Sequence, residues 1–306
     1  MKNRLLLLLL LAGILVACEE DKLTPSAPQE FYEFPQGNAD YDQEFVAFYE
    51  KYNTQFLYKY READFRWNVT DYIPFYSVPA NEAYVGKAYR LIKEKCLDVW
   101  GEAFCKEMLP LRILLASEVY SWESKDDDVY DEEIGEWVSV KYNDTTWHAA
   151  AYGLNHVTFG YTSDKLDNLT PQEQLDLVGE LNKSFIGYAA SRGKIEIPEK
   201  FIELHNKYRN NQWDIWSAQD CGFLEYNKNI DVAYDFGLYV KYLTTMSEEA
   251  FQTWISGIGT GSVWDQDAGM YKPTNAIPQK YQLVLDYFKT QFGIDLHAMG
   301  NRVANL

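Results

Sequence analysis

The chain is poor in the residues that metal and nucleophile chemistry draw on. It has four histidines and four cysteines among 306 residues. No Cys-x-x-Cys pair occurs, which removes the usual thiolate zinc and dithiol redox motifs. No two histidines stand at i,i+4, the spacing that lets one helix face offer two imidazoles to zinc. No Gly-x-Ser-x-Gly elbow is present for a serine nucleophile. The Gly257-Ile258-Gly259-Thr260-Gly261 turn lacks the preceding strand and the lysine of a phosphate loop. Basic residues are scarce too: 28 Lys and Arg face 46 Asp and Glu, for a formal charge of −18. That excludes a nucleic-acid partner, which needs a basic face, and electrostatic docking on an anionic leaflet.

What is present is globular. Hydrophobic residues make up 47% and aromatics 16%, enough for a bulky core and too much for a disordered chain. Lys2 and Arg4 precede an apolar stretch of 13 residues, Leu5 to Ala17. A spanning helix needs about 20, so this segment reads as the core of a signal peptide. It ends Leu15-Val16-Ala17-Cys18, which resembles the bacterial lipobox. The resemblance implies cleavage before Cys18, lipidation of its thiol with diacylglycerol, a palmitate-type membrane anchor and an outer-membrane location. The following Glu19-Glu20-Asp21-Lys22 resembles the surface-export signal of Bacteroidetes lipoproteins, which implies a cell-surface-facing protein. Loss of Lys2 and Arg4 with residues 1–17 would move the formal charge from −18 to −20. Pro25, Pro28 and Pro35 mark residues 18–37 as a lipid-anchored linker. Residues 38–306 are expected to form a single domain.

The fold class expected is α+β, with a small mixed sheet in the N-terminal half and a predominantly helical C-terminal half. Apolar spacing predicts a helix over 41–52 and another over 81–100 capped by Asn81. Alternation predicts strands over 54–61 and 137–142, and 111–119 reads as a buried strand, with an acidic loop over 125–133. Residues 145–161 read as an apolar helix. Thr170-Pro171-Gln172-Glu173 is a helix start, with Thr as N-cap, Pro at the first position and Glu at the third. Ser247 opens a further helix in the same way. Cys96, Cys105 and Cys221 are expected as buried free thiols. A Cys96–Cys105 bridge would need a turn at Gly101.

Each histidine can be weighed singly. His148 and His156 are eight residues apart, about 12 Å along one helix, too far for both to bind one zinc. His205 and His297 sit in polar sequence and are expected at the surface. Trp213 and Trp216 are expected to pack as helix or core residues; if exposed, their faces could stack on sugar rings.

Several stretches in order carry a family resemblance. They are residues 45–61 ending YNTQFLYKYR, Gly101-Glu102-Ala103-Phe104 followed by 110–115, Asp220-Cys221-Gly222-Phe223 with Tyr234-Asp235-Phe236, and YQLVLDYFKTQFGIDL at 281–296. Together they resemble the zinc-binding metallopeptidase lipoproteins of Bacteroidetes, often found beside polysaccharide-uptake genes, over residues 40–300. The resemblance implies a metallopeptidase-like fold with a zinc helix bearing His-Glu-x-x-His, placed at 145–161 in this chain. Neither register fits. With His148 as first ligand, Ala149 stands at the base and Tyr152 at the second ligand. With His156 first, Val157 and Gly160 take those places. The expectation is a catalytically inactive relative that binds a peptide, a glycan or a partner protein, with no cofactor. The alternatives are a glycan-binding surface lipoprotein of a polysaccharide-uptake system, and an active metallopeptidase whose zinc has atypical ligands, with His148, His156 and Asp235 as candidates.

Overall fold

The computed structural model describes residues 32–66, 75–227 and 229–304. The signal segment, Cys18 and most of the linker lie outside the described residues. A compact unit begins at Phe34.

The N-terminal half builds a mixed sheet around one long strand. β1 (Gln55–Leu57), β2 (Phe75–Pro79), β3 (Arg112–Asp131), β4 (Glu136–Trp147), β5 (Ala150–Tyr152) and β6 (His156–Phe159) run in chain order. The core sheet has the order β1-β3-β6-β5. β1 and β6 both lie parallel to β3, while β5 is antiparallel to β6. The apolar run Ile113-Leu114-Leu115-Ala116 is buried throughout, as a strand covered on both faces must be. From Ala116 the same strand pairs with β2, and from Tyr120 onward with β4. There it projects as a hairpin whose outer end carries the exposed Tyr130–Trp137 pair, rings 5.5 Å apart.

Helices complete the domain. α1 (Asp40–Tyr52), α2 (Glu62–Phe65), α3 (Val85–Ile92), α4 (Asp98–Trp100) and α5 (Glu102–Met108) belong to the first half. A π-helical stretch, Lys93–Leu97, joins α3 to α4. The second half holds α6 (Pro171–Ser191), α7 (Glu199–Tyr208), α8 (Ile215–Asp220), α9 (Val232–Leu243), α10 (Glu248–Ile258), α11 (Ala276–Phe292) and α12 (Leu296–Ala304). A two-stranded hairpin, β7 (Ser262–Asp265) with β8 (Met270–Pro273), interrupts it. α6 starts as its sequence predicts: the Thr170 hydroxyl accepts from the Glu173 amide and the Glu173 carboxylate accepts from the Thr170 amide. Asn81 and Ser247 cap as expected. α6 is apolar over most of its circumference, so it sits in the middle, against β5, β6 and α9. Trp100, Phe104, Phe185, Phe288 and Phe292 fill the space between the two halves of the core. Among the described residues no helix is long and apolar enough to cross a membrane.

Several expectations change. Residues 145–161 form no helix: they hold the end of β4, then β5 and β6. Short apolar runs read alike for helix and strand, and here β3 supplies a parallel edge that Val157, Thr158 and Phe159 complete. Residues 125–133 are largely paired strand rather than loop. The strand over 54–61 shortens to three residues. His205 is buried, not at the surface. Cys96, Cys105 and Cys221 are buried free thiols; Cys96 and Trp100 both donate to the Asn182 side-chain oxygen.

Candidate functional site

A cleft of about 410 Å³ opens between β5 and α6, within the range of ligand sites. Its sheet wall is Ala150 to Gly153 and its helix wall Glu180, Lys183, Ser184 and Gly187. Phe65 and Phe75 close one side and Tyr234 of α9 another. Gly187 brings the walls together, because its bare Cα lets the Tyr152 ring lie on the helix. A Cβ there would stand 2.8 Å from Tyr152 Cε1.

Both histidine candidates line this cleft, on different segments. His148 follows β4. Its Nε2 is 2.8 Å from the Ser121 hydroxyl and its ring packs on Phe75, centroids 4.6 Å apart. Burial, with Lys183 nearby, pulls its pKa below the ordinary imidazole value. His156 begins β6 and is only 1% exposed. Burial first and Arg112 second push its pKa down to about 4, so the ring is neutral at physiological pH. Asp235 lies apart from the cleft lining. It is fully buried, with Oδ2 accepting from Lys280 at 2.6 Å and 2.9 Å from His205 Nδ1.

The helix that lines the cleft is therefore α6, not 145–161. It presents Gly179-Glu180-Leu181-Asn182-Lys183, with Glu180 and Lys183 in the cleft wall. Lys183 Nζ is 2.6 Å from the Glu180 carboxylate and donates to the Tyr234 hydroxyl at 3.0 Å. Lys241 of α9 reaches the other Glu180 oxygen, also at 2.6 Å. A search for histidine pairs misses this segment. The available signal was Lys183 within LNKSFIG, a lysine between apolar residues of one helix face, which needs a buried partner.

The resemblance implies zinc, and these residues do not fit it. Glycine has no donor, and an ammonium held by a carboxylate and a phenol has no lone pair to give a metal. Burial alone would raise the Glu180 carboxyl, but Lys183 and Lys241 outweigh it and hold it below the usual glutamate value. Among the described residues no three His, Cys, Asp or Glu side chains form a group that could hold a metal ion.

Trp213 and Trp216 flank the start of α8 and are 73% and 74% exposed, not packed as expected. Neither belongs to the cleft lining. Asp214 caps the helix by accepting from the Ser217 amide, which fixes the turn between the two rings.

No family model matches the chain, and no curated protein matches it. Among solved structures, one described as a "putative zinc-binding metallo-peptidase" from Bacteroides caccae superposes with a TM-score of 0.54 at 16% sequence identity. The match covers 88% of this chain and 97% of that one. At that identity the likeness shows a shared fold: the α+β order of a mixed sheet followed by a helical half is a metallopeptidase-like one.

Proposed function

We propose that the chain binds extended polypeptide in the cleft between β5 and α6 without hydrolysing it through zinc. The position of β5 carries this reading. It is the edge of the core sheet and pairs only with β6 among the described residues. Gly153 and Ala149 bond toward β6, through Gly153 N–H to His156 and Gly160 N–H to the Ala149 carbonyl. Antiparallel alternation then turns the backbone groups of Ala150 and Tyr152 away from β6. An extended peptide can add there as a further strand. Phe65, Phe75, Tyr152 and Tyr234 supply the apolar contacts that side chains of such a peptide need. Chemistry differs from shape here, because Gly179 and Lys183 give zinc no donor and both Glu180 oxygens are held by lysines.

A library of unstructured peptides, read by fluorescence anisotropy with the purified chain, checks this. Binding without cleavage is expected, with Tyr152→Ala weakening it by about tenfold, the loss of one buried aromatic anchor. Stoichiometric zinc together with chelator-sensitive proteolysis would replace this reading with that of an active hydrolase.

The exposure of Trp213 and Trp216 favours a second site, for glycan, outside the cleft. Aromatic faces of this kind stack on the C–H faces of sugars. On a glycan array, Trp213→Ala is expected to abolish binding seen with the native chain; an unchanged signal would end the idea.

A further inference from the structure

A chain of alternating charges begins in the cleft wall at Lys183 and Glu180 and crosses from α6 to α9 behind it. Lys183 and Lys241 each lie 2.6 Å from Glu180, and Lys241 lies 2.6 Å from Glu225. The Tyr242 hydroxyl donates to the same Glu225 oxygen at 2.8 Å. Lys183 also lies over the Tyr234 ring, 4.3 Å from its centroid. Both lysine side chains are largely buried.

The places of these groups follow a pattern. In a His-Glu-x-x-His helix, the residues before and three after the glutamate carry the metal ligands. Here the first of those positions is Gly179, and its side-chain space is filled from across the interface. A Cβ there would stand 2.9 Å from Lys241 Cγ and 3.3 Å from Thr245 Cγ2. The second position is Lys183 itself. A lysine side chain thus fills the side-chain space at the first position and is itself the residue at the second.

We infer that the ammonium groups of Lys183 and Lys241 stand in for a dication beside Glu180, neutralising Glu180 and Glu225 and tying α6 to α9 with no metal. Two single positive charges against two carboxylates balance as one dication would. The clamp also occupies Glu180: with an ammonium on each of its oxygens, the carboxylate is engaged on both sides and offers poor access to a substrate water. The inference concerns what holds the cleft together and stands whether or not a peptide binds there.

Two measurements on the full-length purified chain test it. In urea unfolding, Glu180→Gln and Lys183→Met are each expected to lower the midpoint. The double variant should recover more than half of the loss, because it leaves no buried charge unpaired. Simply additive losses would overturn the clamp. Lys241→Met with Glu225→Gln forms a second cycle should the first set not fold, with the same two outcomes. For the native chain, neither a chelator nor added zinc should move the midpoint. A chelator-induced drop, with zinc recovered in stoichiometric amount, would show that a metal and not the lysines does this work.

Discussion

Asp235→Ala is expected to destabilise the fold by about 3–5 kcal/mol, the cost of stranding a buried charge by removing its partner. Lys280 and Asp235 are both 0% exposed. The Lys280 ammonium donates to Asp235 Oδ2 at 2.6 Å and to the Gly222 carbonyl at 3.0 Å, and sits 3.9 Å from the centre of the Phe223 ring. Burial pulls the Lys280 pKa below the ordinary lysine value against the pull of Asp235. Without the carboxylate the ammonium loses the opposite charge that compensates that burial. His205 Nδ1, 2.9 Å from the same oxygen, loses its partner too. The knot joins α7, α9 and α11, and its geometry depends on Gly222. That residue has φ +86° and no room for a Cβ, which would collide with Ala276. Asp235→Asn combined with Lys280→Met should recover much of the loss, since no buried charge remains. Urea midpoints and slopes of the single and double variants measure this. A double variant as unstable as the sum of its singles would show that packing, not charge pairing, holds the knot.

His156 should make stability fall steeply on the acid side. Its folded pKa of about 4 lies below the unfolded value of 6.5. The unfolded chain therefore binds a proton first as pH falls, and the folded state loses ground. The contribution is fully present above about pH 6.5 and disappears as pH drops through about 4. A shift of that size is worth about 3 kcal/mol at 1.36 kcal/mol per unit. His148, also lowered by burial, acts in the same direction. Carboxylates titrate in this window as well, so the informative quantity is a difference. The native chain should lose about 3 kcal/mol more between pH 6.5 and pH 4 than His156→Phe. Equal slopes would show that the ring gains its proton without penalty. Should the variant not fold, NMR titration of the native His156 ring reads the same property directly.

Much of the scaffold was legible because its signals are local. Thr170-Pro171-Gln172-Glu173 satisfies its own orphan amides wherever the helix then packs. Asn81 and Ser247 do the same, and LRILLA is apolar enough to be a strand covered on both faces. Residues 145–161 were not legible. Ala149, Ala150 and Ala151 fit a helix by propensity, yet the segment becomes two strands because β3 offers a parallel partner to 156–159. The helix wall of the cleft was hidden for the same reason. With neither histidine on a helix, Glu180 and Lys183 could be found only once α6 was seen to form the cleft wall.

By itself the sequence determined the class of fold, the helix starts on α6 and α10, and the shortage of donors that weighs against a histidine-based zinc centre. Composition and short-range hydrogen bonds are enough for those. Only the tertiary structure decided which helix faces the cleft, that Lys241 fills the space beside Gly179, and that Asp235 is locked to Lys280 and His205. These pairs are separated by 45 residues (Asp235 and Lys280) and 61 residues (Glu180 and Lys241). No local pattern relates residues so far apart. The packing of α6, α7, α9 and α11 brings them within hydrogen-bonding reach, and burial there makes each charge depend on its partner.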